Sequence, residues 1–261
     1  MLKALFVSAC AVALSGCVII ATDGEERTVV ETAAANPACC EGLYWTAVGD
    51  PRRPADEVAR DPLRKPYDML AFIGLEPGDR IADIRPEEGY FTRLFAPVVG
   101  ETGRVYAFVP TRTVEREVPL AEKLAAEYPN VRPLSGALDA MSFPEPLDVV
   151  LTAQEYHDFH MATFNTDVGR MNAAVFQALK PGGLYVIIDH QGAAATGNTQ
   201  VQSLHRIEGD FLRREVEAAG FQFVEETRVL VNPEDDLSLN VFDPKIRGRT
   251  TQFVYKFRKP A

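Results

Sequence analysis

The sequence predicts an α/β protein: a sheet of mostly parallel strands with a layer of helices on each face. Three observations carry this. From Gly78 onward, strand-like and helix-like segments alternate. The stretches 147–152 and 184–188 are continuous apolar runs, as strands buried on both faces require. Gly and Pro punctuate the ends of the helical stretches, as Pro129-Asn130 and Lys180-Pro181-Gly182-Gly183 do.

Taken in order, residues 67–73 begin an apolar-periodic stretch, read as a helix that covers the sheet. Residues 80–84 form the first strand and 90–99 the helix after it. Residues 103–109 are the second strand, and 114–128 a helix that Pro129 stops. A brief third strand spans 131–134 and a fourth 147–152. Residues 164–179 read as a helix closed by the Lys180-Pro181-Gly182-Gly183 turn, before a fifth strand at 184–188. A helix over 209–219 ends at Gly220 as its left-handed cap. Residues 221–231 and 251–257 are two closing strands.

The N-terminus reads as a targeting segment. Lys3 supplies a positive charge, and residues 4–14 are an apolar run too short to span a bilayer. Leu14-Ser15-Gly16-Cys17 follows and resembles a bacterial lipobox, with Cys17 as the lipidated residue. The alternative is an ordinary small-residue cleavage site nearby. Lipidation at Cys17 anchors the chain to a membrane through acyl chains rather than a spanning helix. Val18, in place of an Asp, points to the outer membrane. The expected location is therefore the periplasm-facing cell envelope. Residues 18–50 are rich in Ala and Thr without periodicity and read as a tether, which leaves 51–261 as the folded domain. With Cys10 in the signal and Cys17 lipidated, Cys39-Cys40 remain, and a vicinal or interchain disulfide is open to them.

Composition sets outer limits. The 261 residues are 46% hydrophobic and 25% charged, which suits one packed domain and excludes a disordered or collagen-like chain. The net charge of −10 argues against a nucleic-acid partner, since phosphates would be repelled. The expected partner is a small molecule or an envelope component, and the sequence does not set the oligomeric state.

Leu179-Lys180-Pro181-Gly182-Gly183-Leu184 and Ala218-Ala219-Gly220-Phe221 resemble the turns into strands five and six of the class I S-adenosylmethionine-dependent methyltransferases. The resemblance covers about residues 65–258. Within that superfamily the chain is most similar to a group of exported bacterial predicted methyltransferases. The shared stretches are Tyr156-His157-Asp158-Phe159-His160, Ile188-Asp189-His190, Leu204-His205-Arg206-Ile207 and Phe242-Asp243-Pro244. The resemblance implies a Rossmann-like three-layer sandwich with a seven-stranded, mostly parallel sheet and an antiparallel C-terminal strand. It also implies S-adenosylmethionine as cofactor, held by Asp83, Arg85, Gly89 and Tyr90 in the turn after the first strand.

That turn reads Asp83-Ile84-Arg85-Pro86-Glu87-Glu88-Gly89-Tyr90 and departs from the family pattern. Gly89 alone stands where the related group has a Gly triplet. Glu87 and Glu88 bring negative charge toward the methionine carboxylate; two like charges at ~4 Å repel by about 1 kcal/mol in water and several times that near a protein surface. Strand two also ends without the acid that would hold the ribose hydroxyls. The cofactor loop thus reads as degenerate.

All four histidines fall at strand ends, the rim where open α/β sheets bind ligands. Two chemistries fit. In the first, His157 or His190 acts as acid or base, oriented by Asp158 or Asp189. In the second, His157, His160, His190 and His205 hold a metal ion of unspecified identity. On the first reading His157, Asp158 and His190 are catalytic, and His160, Asp189, His205 and Arg206 bind substrate. Residues 191–202 read as a loop closing over the pocket, with His205-Arg206 anchoring a ligand anion, and 232–236 as an acidic turn. Neither a Gly-x-Ser-x-Gly elbow nor a Walker loop is present. Three functions follow. A methyltransferase predicts an open crevice beside Gly89, a non-catalytic binding protein predicts Arg85 or Glu87 filling it, and a metal-binding envelope protein predicts converging ring nitrogens.

Overall fold

In the computed structural model, seven strands form one sheet: β1 (Arg80–Ile84), β2 (Arg104–Pro110), β3 (Val131–Gly136), β4 (Leu147–Ala153), β5 (Leu179–His190), β6 (Gln222–Thr227) and β7 (Gln252–Arg258). Their order is β3-β2-β1-β4-β5-β7-β6. The first five run parallel, and β7 lies antiparallel to both β5 and β6. The structure describes residues 40–261, so Cys10, Cys17 and Cys39 lie outside it, as do the expected signal segment and most of the expected tether.

The alternation along each strand splits the core into two layers. Ile81, Val105, Ala107, Val149, Leu151, Val186 and Ile188 face one side, packed by α4 (Pro66–Ile73), α5 (Tyr90–Val99) and α6 (Val114–Glu127). Ala82, Ile84, Tyr106, Phe108, Val150, Tyr185 and Ile187 face the other, against α8 (Val168–Ala178) and α10 (Gly209–Ala218). Both faces being covered, the central strands carry apolar runs such as 149–151 and 184–188, whereas the edge strands β3 and β6 are half-exposed and mixed in polarity. This is the three-layer sandwich the sequence predicts.

Differences from expectation have local causes. The domain begins before residue 51: α1 (Glu41–Val48) packs Tyr44 and Ala47 into the core, and the Tyr44 hydroxyl donates to Leu75 O at 2.9 Å. The segment from residue 41 to 48 is therefore a helix of the fold and not part of a tether. Two single turns, α2 (Ala55–Val58) and α3 (Asp61–Arg64), follow it. The helix expected at 164–179 starts only at Val168, because Asp167 caps it by accepting from Arg170 N at 3.0 Å. Strand β5 starts at Leu179, five residues early: Lys259 O accepts from Gly182 N and Lys259 N donates to Gly183 O, both at 2.9 Å, extending the ladder with β7. Strand β6 stops at Thr227, where residues 228–231 turn. Two further short helices, α7 (Tyr156–Phe159) and α9 (Val201–Leu204), sit at the carboxyl rim. No described helix is long and apolar enough to cross a membrane.

Candidate functional site

Strand order reverses between β1 and β4, and in open α/β sheets ligands bind in the crevice outside the carboxyl ends of such a pair. Here Arg85 occupies it. Arg85 follows the last residue of β1 with φ of 56°, and its guanidinium pairs with Glu155, just beyond β4. Arg85 Nη1 also donates to Asp158 Oδ2 at 2.9 Å, and Glu117 and Glu87 lie at 3.4 and 3.5 Å. Arg85, Glu117 and Glu155 are buried, and the surrounding carboxylates outweigh burial to hold the guanidinium charged. A small pocket of about 30 Å³ lies between this cluster, Asp83 and Tyr90, and Arg85, Glu87, Gln154 and Glu155 also line a larger cleft beside it.

Of the residues expected around that turn, Gly89 has a packing role. Its φ is +92°, and a Cβ there would meet the Leu124 side chain of α6 at 2.4 Å. The Tyr90 hydroxyl donates to Asp61 Oδ1 at 2.7 Å, and its ring carries Arg64 4.6 Å above the centroid. Asp83 is buried, accepts from Thr92 Oγ1 at 2.7 Å, and is pushed by burial up to about 6.

The rim histidines divide. His157, on α7, is locked by Asp189 at the end of β5. Asp189 accepts from the His157 backbone N and faces its ring Nδ1, both at 2.7 Å. The same carboxylate takes the His190 backbone N at 2.7 Å. The Nδ1 contact leaves His157 Nε2 pointing to His205 Nδ1 at 3.3 Å and Asp158 Oδ1 at 3.0 Å. Burial lowers the His157 ring's pKa, but Asp189 and Asp158 outweigh it and push it up to about 10. His190 is the opposite case: burial, only partly offset by Asp189, drives it down to about 3, and its Nδ1 lies 2.8 Å from Thr250 Oγ1. His205 has a left-handed backbone, φ 54°, and burial lowers its pKa too.

These groups line a cleft of about 500 Å³ whose other wall is Val241, Phe242, Arg247 and Gly248. Backbone strain concentrates there: Arg85, Glu87, Gln154 and His205 all carry positive φ without being glycine. Each such residue costs on the order of 1–3 kcal/mol, which surrounding contacts must offset.

Five expectations are corrected. Arg206 does not face ligand: it is fully buried, bidentate to Asp235 at 3.0 Å, and donates to Leu239 O and Gln191 O. Asp235 is thereby the inner partner of a structural clamp rather than part of a solvated acidic turn. His160 turns away from the other histidines; its Nε2 meets Glu215 at 2.9 Å and its Nδ1 meets Asn198 at 3.2 Å. Residues 191–202 do not line the cleft, and Glu208 accepts from Ala195 N and Gly197 N and holds the loop down. Asp189 is fully buried beneath the histidines, so it orients His157 and does not meet a substrate. Sequence reasoning missed Glu117 and Glu155 as partners of Arg85, and Arg60, Arg64 and Arg247 as cleft residues. No sequence signal marks them, since their partners are far along the chain.

No protein-family model matches the sequence, and no curated protein matches it. Solved structures do. A SAM-dependent methyltransferase from Aquifex aeolicus superposes with a TM-score of 0.55 at 18% identity, covering 85% of this chain and 98% of that one. The 1,6-didemethyltoxoflavin-N1-methyltransferase of Burkholderia thailandensis gives 0.54 at 20%, covering 89% and 94%. The [4+2]-cyclase SpnF gives 0.55 at 15%, covering 86% and 95%. With the seven-stranded order above, these likenesses establish that the chain has the Rossmann-like fold of the class I methyltransferases.

Proposed function

We propose that this protein is a methyltransferase-fold binding protein whose cleft takes a small anionic molecule, and that its cofactor loop is degenerate. One observation carries this: the Arg85–Glu155 ion pair closes the crevice between β1 and β4. S-adenosylmethionine would have to displace this pair to reach the turn after β1. The fold alone does not require methyl transfer, as a cyclase on the same fold illustrates.

The cleft that Arg85 and Glu155 share with the histidines, about 500 Å³, has the size for a small molecule. Its lining sets Arg60, Arg64, Arg85 and Arg247 against Glu87, Glu88, Glu155 and Asp158, and the arginines that no carboxylate pairs point to an anion. Arg60, Arg64 and Arg247 line it, and none of them has a carboxylate within 4 Å among the described residues, unlike Arg85. Desolvation lowers the pKa of Arg64, so an anion placed beside it would be held strongly.

Isothermal titration of the purified chain with S-adenosylmethionine and S-adenosylhomocysteine tests the proposal. No heat at millimolar ligand is expected. Micromolar binding of either would overturn it and restore the methyltransferase reading, with Arg85 swinging aside as the ligand enters. The anionic class is checked separately with inorganic phosphate: it should raise the melting temperature of the wild type but not of Arg64→Met.

From the sequence we also propose export and lipid anchoring at Cys17, which would hold the domain at the periplasmic face of the outer membrane. Metabolic labelling with a fatty acid, lost in Cys17→Ala, is the expected result.

A further inference from the structure

We infer that His157 Nε2, His205 Nδ1 and Asp158 Oδ1 form a binding site for a first-row divalent transition metal, with its open coordination positions toward the cleft. This inference is independent of the anion-binding reading, because it concerns the ion and not the organic ligand.

The first argument is distance. The three atoms stand 3.0, 3.3 and 3.3 Å from one another. Ligands about 2.0–2.1 Å from a zinc-like ion in tetrahedral array lie about 3.3 Å apart, so one ion can touch all three without moving the backbone. The second is satisfaction. Asp158 Oδ1 is buried with no hydrogen-bond partner, although both ring nitrogens lie within 3.3 Å of it. A carboxylate oxygen flanked by two imidazole nitrogens is satisfied either by a ring proton or by a cation at their common point, and the cation takes the place of that proton, which is released to solvent. Its other oxygen, Oδ2, is held by Arg85 at 2.9 Å, which fixes the carboxylate in place.

The third argument is the outer shell. Metal-bound histidines commonly donate their second ring nitrogen to a carboxylate, which sets the tautomer. His157 does this with Asp189 at 2.7 Å, and Asp189 is in turn fixed by two backbone N–H groups. Two imidazoles and one carboxylate suit zinc, iron or cobalt in the divalent state better than calcium or magnesium, which prefer oxygen. His160, engaged by Glu215 and Asn198, and His190, whose Nδ1 meets Thr250, are outside the triangle.

The test uses the full chain, stripped with a chelator, and Zn²⁺ in competition with a chromophoric chelator. One ion per chain with a sub-micromolar dissociation constant is expected. His205→Gln and Asp158→Asn should each abolish this binding, and His160→Gln should leave it unchanged. Asp189→Asn, which removes the outer-shell charge and keeps the shape, should weaken it by about 10–100-fold. Circular dichroism of each variant separates loss of binding from loss of fold. With Co²⁺ as the probe, visible d–d bands without a near-ultraviolet thiolate band are expected, which distinguishes this site from Cys39 and Cys40. The proposal is overturned if the stripped chain takes up no ion at 100 µM, if His205→Gln binds as tightly as wild type, or if the cobalt spectrum shows thiolate ligation. The triangle would then be a hydrogen-bonded network joining α7 to the 204–206 turn.

Discussion

Arg85 and Glu155 are joined by an ion pair that ties the turn after β1 to the turn after β4, at the point where the chain's strand order reverses. Both side chains are buried, and Glu117 shares the same guanidinium. Removing one partner from a buried pair leaves an uncompensated charge, a larger loss than the pair's own net worth.

Arg85→Met should therefore lower stability by about 3–5 kcal/mol in urea denaturation. Adding Glu155→Gln to Arg85→Met should recover part of that, since one stranded charge is gone. A single variant as stable as the wild type would show that the cluster is solvated in solution.

Gly89→Ala should destabilise through two separable terms. A Cβ would overlap Leu124, 2.4 Å away, and alanine at φ +92° is strained. Together they are expected to cost ~2–4 kcal/mol. Leu124→Ala in the same chain should return the overlap part only, so a double-mutant cycle with a coupling of at least ~1 kcal/mol is the readout.

Asp83 gives a pH signature. Its folded value, about 6, lies above the ordinary 3.8, so between these pH values the folded chain holds a proton that the unfolded chain has released. Stability then falls as pH rises from about 4 to about 6 and is level beyond. Asp83→Asn should remove this component, so its stability relative to wild type rises by on the order of 3 kcal/mol between pH 3.5 and 8. Asp79, also raised to about 6 by burial, leaves a residual slope in both chains.

Truncation tests the domain boundary. A chain beginning at residue 40 should melt with the full-length domain, while one beginning at residue 51 should melt well below it. The second loses α1, whose Tyr44 and Ala47 cover Met69, Leu70 and Ile73. Equal melting temperatures would show α1 to be dispensable.

Arg206→Met should free the segment around Asp235, because that arginine fastens Asp235, Leu239 and Gln191 at once. Faster amide exchange at residues 235–241, with the strands β1 to β5 still protected, is the expected pattern.

The central strands are legible because burial on both faces favours apolar residues, as in residues 149–151 and 185–188, and helices such as α5 match residue for residue. Helix α1 was not legible, since eight residues with no side-chain cap and a weak apolar face resemble a linker. At the rim, sequence placed the right residue types but not their pairings. His157 and His160 are three apart on one turn, yet Glu215 and Asn198 draw the second ring away. Arg206 looked like an anion anchor and is instead satisfied by Asp235, 29 residues on. Such competition between partners distant in sequence leaves no periodic trace.

The cross-tie at the switch point has a consequence for how the fold is kept closed. A crevice filled by a diffusible ligand gains stability only in proportion to the ligand's concentration over its dissociation constant. Here the occupant is a side chain of the same molecule, tethered one residue beyond β1, so it cannot be diluted or outcompeted by scarcity. The two halves of the sheet, β3-β2-β1 and β4-β5-β7-β6, are thus cross-tied at that edge by side chains of the chain itself, a contact whose strength does not scale with any ligand's concentration.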